Sequence, residues 1–194
     1  MEAKSVPRLF SQLVQRYPCC RFGGLYMSDS LPRYVSGSNI FYVINTASTD
    51  DNANTMGHYI LLYISHSYLV YFDSFGLPLD SYPLAISRFV RANIGRRNYV
   101  DLGTRVQHEL SLTCGAFVVY VAFFLCRGGI VRACAMLGRF SRNYAHNDEL
   151  VLTFLYARFG RSLPACSRTF CIPNATRPRC ITDCQLAEAS ALMS

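Results

Sequence analysis

One cysteine of this chain stands where a nucleophile could be activated. Cys114 follows a polar segment that begins at Gln107, and the run 116–126 after it contains no charged residue. Thr113 and Ser111 are residue types that cap helix N-termini, so the pattern predicts a buried helix that begins beside Cys114. Unpaired backbone N–H groups and the positive end of the helix dipole would favour the thiolate there. The Gln107 amide could donate to an oxyanion. Because a buried structural cysteine gives the same local pattern, a catalytic interpretation also requires a base.

A base with an orienting partner is predicted on a β-hairpin upstream of this segment. Residues 58–73 consist of two β-branched and aromatic runs on either side of a short polar break, which is typical of a hairpin. If the turn is centred between Ser65 and His66, residues whose numbers sum to 131 lie opposite each other. His58 then faces Asp73, with Cβ atoms roughly 4.5–5.5 Å apart. A carboxylate at that distance would fix the imidazole tautomer and stabilise the imidazolium.

The other elements share either the apolar spacing of helices or the composition of strands. They are a helix over 6–17, a strand over 40–45, a helix over 83–93, a short strand over 99–102, and two helices over 130–140 and 147–159. Gly128 and Gly129 predict a break after the central helix. We expect one globular domain over 1–160 and a tail of different composition over 161–194.

Four short motifs, in order along the chain, resemble those of one protease family. They are Gly57-His58-Tyr59, Phe72-Asp73-Ser74-Phe75-Gly76, Gln107 and Cys114-Gly115. With the upstream segments 22–26 and 43–47, they resemble the adenovirus maturation protease (adenain) family, which is related to the SUMO-specific cysteine proteases. The resemblance covers roughly residues 10–130.

The resemblance implies an α+β fold in which a central mixed β-sheet packs against helices, with the nucleophile at the N-terminus of a buried central helix. It implies that Cys114 attacks the scissile carbonyl and that Gln107 contributes to the oxyanion hole. It also implies that His58 is the base and that Asp73 orients it. The expected activity is that of a viral cysteine endopeptidase, which cleaves precursor structural proteins during virion maturation in the virion and the host nucleus.

The motifs depart from the family pattern at two places near the predicted base. Tyr59 replaces the usual Trp after the histidine, and Asp73-Ser74 replaces Glu-Pro, Asp being the choice of the SUMO proteases. We expect Asn45, Gly57 and Tyr59, in or next to these motifs, to contribute to substrate binding.

Two activators of the resembled family are DNA and a short viral peptide that is disulfide-linked to the enzyme. No cysteine lies between Cys20 and Cys114, so the covalent link is not expected at the family's position. Non-covalent addition of such a peptide to a sheet edge stays compatible with the sequence.

The basic charge of the chain is suited to DNA. The formal net charge is +7, and Lys4 is the only lysine among 19 basic residues. Arginine suits phosphate recognition, and basic proteins bind DNA through counterion release. We expect the DNA-binding residues to be Arg88, Arg91, Arg96, Arg97 and Arg105.

Nine cysteines are present, and we expect most of them to be reduced, because no apolar signal segment is recognised and the core needs no disulfide framework. No metal is required by the predicted chemistry, and the apolar central run is expected to be core rather than a membrane span.

Four cysteines form a C-x4-C-x8-C-x3-C pattern in the tail: Cys166, Cys171, Cys180 and Cys184. Their spacing leaves a structural zinc site, a partly ordered tail and an intermolecular disulfide open.

Two other functions remain open from the sequence. The Asp73-Ser74 motif also fits an isopeptidase that acts on SUMO or ubiquitin-like modifiers. A basic, DNA-associated packaging protein that has kept the fold would need the arginines but not Cys114.

Overall fold

The computed structural model describes residues 5–35, 37–51 and 57–160. Its elements are α1 (Ser5–Arg16), β1 (Arg21–Met27), β2 (Ile40–Asn45), β3 (Tyr59–Ile64), β4 (Tyr68–Phe72), a 3₁₀ turn (Leu79–Ser81), α2 (Leu84–Ile94), β5 (Asn98–Asp101), α3 (Cys114–Leu137) and α4 (Tyr144–Phe159). The tail 161–194 and its four cysteines lie outside the described residues, so the proposed domain boundary at 160 stays a prediction.

The five strands form one mixed sheet in the order β1-β2-β3-β4-β5. The two outer pairs, β1 with β2 and β4 with β5, are parallel, whereas β2 with β3 and β3 with β4 are antiparallel. Helices cover both faces, so the predicted α+β fold with a central mixed sheet is confirmed.

Alternate residues of the central strands belong to two separate cores, as expected for a period of two residues. Phe41, Leu61 and Phe72 face α1, α3 and α4 on one side. Tyr42 and Leu62 face α2 on the other. Because both faces are covered, every residue of β3 is buried, which explains its continuous apolar sequence.

The register of the β3–β4 hairpin differs from the predicted one by two residues. Observed partners, such as Ile64 and Leu69, have numbers that sum to 133 rather than 131. The reason is Ser65, which closes the turn by a backbone bond to the Tyr68 carbonyl (2.8 Å) and accepts the Tyr68 N–H on its hydroxyl (2.9 Å). A shift of two residues preserves the face on which each side chain lies, whereas a shift of one would have reversed it.

Helix α3 is the central buried helix, and Cys114 is its first residue, as predicted. In the part of the chain that the structure describes, α3 is the one helix whose length and apolarity would allow a membrane crossing, but 61% of that apolar window is buried inside the protein. The predicted break is confirmed at Gly128 and Gly129, and Gly129 has a φ of 66°, a conformation that favours glycine.

Candidate active site

Helix α3 places the Cys114 thiol beside the start of β3, the central strand of the sheet, where the Tyr59 N–H bonds to it. Thr113 is the N-cap residue, but its hydroxyl makes no capping bond and instead donates to Asp148 (2.9 Å). Because the first N–H groups of a helix have no partner within it, the thiol lies at a positively polarised end. Cys114 is only 9% exposed.

The His58 backbone is fixed on both sides just before β3. Its N–H donates to the Thr46 hydroxyl (2.9 Å), and its carbonyl accepts the Thr46 N–H (2.8 Å). The preceding residue, Gly57, has no room for a side chain, because an added Cβ would meet the Asn45 amide and the Ala47 Cβ (2.8 Å). The close packing of Gly57 against the segment 45–47 therefore fixes the position of the His58 backbone, from which the imidazole extends.

Asp73 follows β4 and is fully buried, yet its carboxylate is well supplied with donors. Oδ1 accepts from His58 Nε2 (2.6 Å) and from the Phe75 N–H (2.8 Å). Oδ2 accepts from the Leu77 N–H (2.9 Å) and from the Tyr82 hydroxyl (2.8 Å). Four hydrogen-bond donors keep this buried carboxylate ionised. Without such donors, burial would favour the protonated, neutral form.

The imidazole is held by this carboxylate and by an aromatic ring. The observed register continued beyond β4 would place Phe75, not Asp73, opposite His58, and the two rings stack with centroids 4.4 Å apart. Asp73 is then a diagonal neighbour, within reach because both side chains leave the same face. The other ring nitrogen, Nδ1, is buried and has no hydrogen-bond partner among the described residues, and the Cys114 thiol is a neighbour of this imidazole.

The pKa values of the three groups are shifted as an ion pair requires. Burial lowers the pKa of His58, but the hydrogen bond to Asp73 and the neighbouring Cys114 outweigh it and raise this pKa to about 9. Burial raises the pKa of Cys114, and His58 together with the Tyr59 N–H brings it below its usual value. Burial likewise raises the pKa of Asp73, and its bond to His58 leads the effects that lower it. These directions favour an ion pair of thiolate and imidazolium beside an ionised carboxylate.

Gln107 is fully buried beside the start of α3, but both of its N–H groups are engaged. Nε2 donates to the Ser111 carbonyl (2.9 Å) and to the Ser111 hydroxyl (3.1 Å), while Oε1 accepts from the Ser74 hydroxyl (2.6 Å). The amide is therefore oriented with its donor edge towards the loop before Cys114. An oxyanion would have to take over one of the two bonds to Ser111.

The residues predicted to bind substrate lie together next to His58, and they are buried or half-buried. Tyr59 is buried, and its hydroxyl bonds to the Asn45 side chain. The Asn45 Oδ1 also accepts the Ala47 N–H (3.0 Å). In this arrangement Asn45, Gly57 and Tyr59 hold the His58 segment in place, so a role in substrate binding stays a prediction.

The five arginines predicted to bind DNA differ in the contacts that they make. Arg91 pairs with Asp80 (3.0 Å) and Arg105 with Glu109 (3.2 Å), all exposed. Arg97 is used structurally, because its Nε donates to the Ser65 carbonyl of the hairpin turn (2.8 Å). The remaining two, Arg88 and Arg96, are exposed.

A second group of thiols lies apart from the candidate nucleophile, and its member Cys126 is further along α3. The Sγ atoms of Cys19 and Cys20 are 3.8 Å apart, and Cys126 lies next to Cys20. The neighbouring Cys126 thiol is the main influence that lowers the pKa of Cys20 to about 7. Cys20 is therefore a second thiol of lowered pKa, and the side chains that act on it in the described residues are cysteines rather than a base.

Two residues of the site could not be recognised from the sequence. Tyr82 lies in a turn-rich connector, and only the tertiary structure brings its hydroxyl to Asp73. Asp148 resembled an ordinary acidic residue at the start of a helix, yet it is 5% exposed and bonds to Thr113. No group of three or more His, Cys, Asp or Glu side chains suited to a metal ion occurs in the described ranges.

Comparisons with known proteins give no family assignment. No family model matches the chain, and no curated protein sequence is similar to it. Among solved structures, the chain is similar to "AvrA delL154 with IP6, CoA", with 16% sequence identity and a TM-score of 0.41. The similarity covers 63% of this chain and 48% of that one, so this chain matches about half of that protein's length. A similarity of this size does not bear on activity, which has to be argued from the site.

Proposed function

We propose that this chain is a cysteine endopeptidase with Cys114 as nucleophile, His58 as base and acid, and Asp73 as the orienting group. The observation that carries the proposal is the geometry around the imidazole. His58 Nε2 is held by a buried, fully satisfied carboxylate at 2.6 Å, Nδ1 has no hydrogen-bond partner among the described residues, and the neighbouring thiol of Cys114 lies at a helix N-terminus. A solvated His–Asp pair or a structural cysteine would not need this combination.

The proposed reaction uses the ion pair directly. The Cys114 thiolate attacks the scissile carbonyl carbon, and the resulting oxyanion takes hydrogen bonds from Gln107 and from the N–H groups at the start of α3. The C–N bond breaks as His58 Nδ1–H protonates the leaving amine, which leaves a thioester. His58 then takes a proton from water, which attacks the thioester and releases the carboxylic acid and the thiolate.

The finer parts of the proposal depend on the resemblance of the sequence motifs to the adenain family. We propose that the substrates are precursor structural proteins cut beside small residues such as Gly, during virion maturation in the virion or the host nucleus. DNA is proposed as an activator, with Arg88 and Arg96 as its exposed contacts. An activating peptide would add without a disulfide at the family's position.

The test is covalent labelling with a peptide vinyl sulfone that carries Gly at the cleavage position, with and without DNA. We expect one adduct on Cys114, found by intact mass and peptide mapping, which is lost in His58→Ala. Cys134→Ala is the matched control, since Cys134 is an exposed thiol of the same helix and its removal should change nothing. A Cys20→Ser background removes the second thiol of lowered pKa. Adducts spread over several cysteines, with Cys114 unlabelled, would contradict the proposal.

One sequence feature favours a second function, an isopeptidase for ubiquitin-like modifiers. Asp73-Ser74 matches the choice of the SUMO proteases. The two functions are separated by substrate: an isopeptidase should react much faster with a folded modifier that carries a C-terminal vinyl sulfone than with the free peptide reagent. Equal or slower reaction with the modifier would favour the endopeptidase.

A further inference from the structure

A series of partly and fully buried hydrogen bonds connects the predicted oxyanion donor to a carboxylate on another helix. Gln107 Nε2 donates to the Ser111 hydroxyl (3.1 Å), and the hydroxyls of Ser111 and Thr113 are 2.8 Å apart. The Thr113 hydroxyl donates to Asp148 Oδ1 (2.9 Å). Asp148 lies on α4 and contacts none of the three triad residues through a hydrogen bond or ion pair in the described part of the chain.

The direction in which these hydrogen bonds are donated follows from the carboxylate of Asp148 at one end of the series. An ionised carboxylate can only accept hydrogen bonds, whereas a hydroxyl can donate or accept. Thr113 must therefore donate to Asp148, which leaves its oxygen free to accept from Ser111. The Ser111 hydroxyl, acting as a donor, then presents its lone pairs to Gln107.

The hydrogen bonds at both edges of the Gln107 amide agree with donation towards Asp148. The donor edge faces the Ser111 hydroxyl and carbonyl, and the oxygen accepts from Ser74 at 2.6 Å. If Asp148 lost its charge, the two hydroxyls could reverse, because nothing else in the chain requires them to donate towards α4. The Ser111 oxygen would then accept from Thr113 as well as from Gln107, and its own hydrogen would no longer point towards Thr113, which weakens the hold on the Gln107 N–H groups.

Helix α4 also holds the surrounding loop. Asn147, next to Asp148, donates from Nδ2 to the Val106 carbonyl (2.9 Å), immediately before Gln107. The Asp148 carboxylate further accepts from the His108 N–H. The loop that carries the oxyanion donor is therefore fixed from α4 on both sides of Gln107.

We propose that Asp148 is a positioning residue of the oxyanion hole, which acts through Thr113 and Ser111 to keep the donor edge of Gln107 beside Cys114. This inference depends on the proposed function, because it assigns a role within the same reaction. Asp148 has no contact with substrate in the proposal and does not take part in proton transfer.

The test separates chemistry that forms an oxyanion from chemistry that does not. A peptide aldehyde forms a tetrahedral adduct whose oxygen occupies the oxyanion hole, whereas iodoacetamide alkylates the thiolate without one. For Asp148→Asn we expect kcat and aldehyde affinity to fall by at least about tenfold, short of the roughly 10²–10³ that removal of one donor costs. KM and the alkylation rate of Cys114 should change by less than about twofold, since the ion pair is untouched.

Matched variants guard against misfolding as the cause. Thr113→Val keeps the shape of the side chain but breaks the hydrogen-bond chain, so it should reproduce the effect of Asp148→Asn, while Thr113→Ser retains the hydroxyl and should resemble the parent. Glu149→Gln removes a neighbouring charge of the same helix and should also resemble the parent.

Three outcomes would overturn the inference. Unchanged kcat and aldehyde affinity in Asp148→Asn would exclude a positioning role, provided that the parent alkylates at Cys114. A parallel loss of turnover, aldehyde affinity and alkylation would show a purely structural role. A parent chain that shows neither turnover nor selective reaction at Cys114 would overturn the proposed function and this inference with it.

Discussion

Replacement of Asp73 by Asn tests the site most directly, because it removes a charge while keeping the shape of the side chain. The carboxylate accepts four hydrogen bonds, from His58, Phe75, Leu77 and Tyr82. An amide has one oxygen, so it can keep the two donors on one side only. If the oxygen faces His58, the amide N–H₂ meets the Leu77 N–H and the Tyr82 hydroxyl, of which only the hydroxyl can turn to accept.

The magnitude of the effect follows from these contacts. The Leu77 N–H, on a residue that is 43% exposed, loses its acceptor, which should lower the free energy of unfolding by about 0.5–1.5 kcal/mol. Loss of a charge-assisted bond to the imidazolium, about 1.5–3 kcal/mol, corresponds to a decrease of roughly 1–2 units in the His58 pKa. The parent value of about 9 would then fall towards neutrality.

The assay is the pH profile of kcat/KM, together with a urea unfolding curve. A reaction that needs a thiolate and an imidazolium has a bell-shaped profile, and its basic limb reports the histidine. We expect the basic limb of Asp73→Asn to move to lower pH by about 1–2 units and the rate at neutral pH to fall by roughly 10- to 100-fold. Asp101→Asn is the matched control, since Asp101 is exposed and accepts one backbone N–H, from Gly103, which an amide oxygen can also do.

A basic limb that stays in place, in a variant that unfolds at lower urea as expected, would refute this reasoning. It would mean that the carboxylate holds the fold but does not set the charge of the imidazole.

Three further predictions concern the base, its support and the basic surface. His58→Ala should abolish turnover and raise the Cys114 pKa, because burial then acts without an opposing imidazolium; the pH midpoint of alkylation measures this shift. Tyr82→Phe removes one donor to the triad carboxylate, and we expect kcat/KM to fall by up to about tenfold in steady-state assays, since only part of a charge-assisted bond is transmitted to the imidazole. Any stimulation by DNA should decrease steeply with salt, and replacement of Arg88 and Arg96 by Gln should reduce the slope of log affinity against log salt by about 2.

Each of these three has a defined contrary result. An unchanged alkylation midpoint in His58→Ala would exclude the ion pair, and full activity in Tyr82→Phe would exclude any support from that hydroxyl. For DNA, Arg91→Gln serves as a comparison because Asp80 already pairs with that guanidinium. A salt-independent effect of DNA would mean that the arginines have another purpose.

Local patterns were sufficient for the parts of the site that depend on one segment. The apolar run after Cys114 and the residue types before it predicted a buried helix with the cysteine at its start. The hairpin was predicted from strand composition, although its register depended on Ser65, whose side-chain bonds to Tyr68 cannot be deduced from the turn sequence alone. The prediction that His58 and Asp73 lie on the same face of the hairpin was still correct, because the error in the register was an even number of residues.

The supporting residues could not be predicted, because their partners are distant in sequence and their types are common on surfaces. Tyr82 and Asp148 each become informative only when the fold shows what they contact. The same applies to Gln107: the sequence predicted its place near Cys114, but not that Ser111 occupies both N–H groups.

The placement of the triad on the chain has a consequence for the order of folding. His58 and Asp73 are only 15 residues apart on one hairpin, whereas Cys114 arrives on a helix that must pack across the finished sheet. Contacts between nearby residues close shorter loops and form earlier. We therefore expect pulsed hydrogen exchange during refolding to protect β3 and β4 before α3, and simultaneous protection would contradict this order. A chain interrupted before α3 docks would hold an assembled base with no nucleophile, so the proposed proteolytic activity would appear only at the last step of folding.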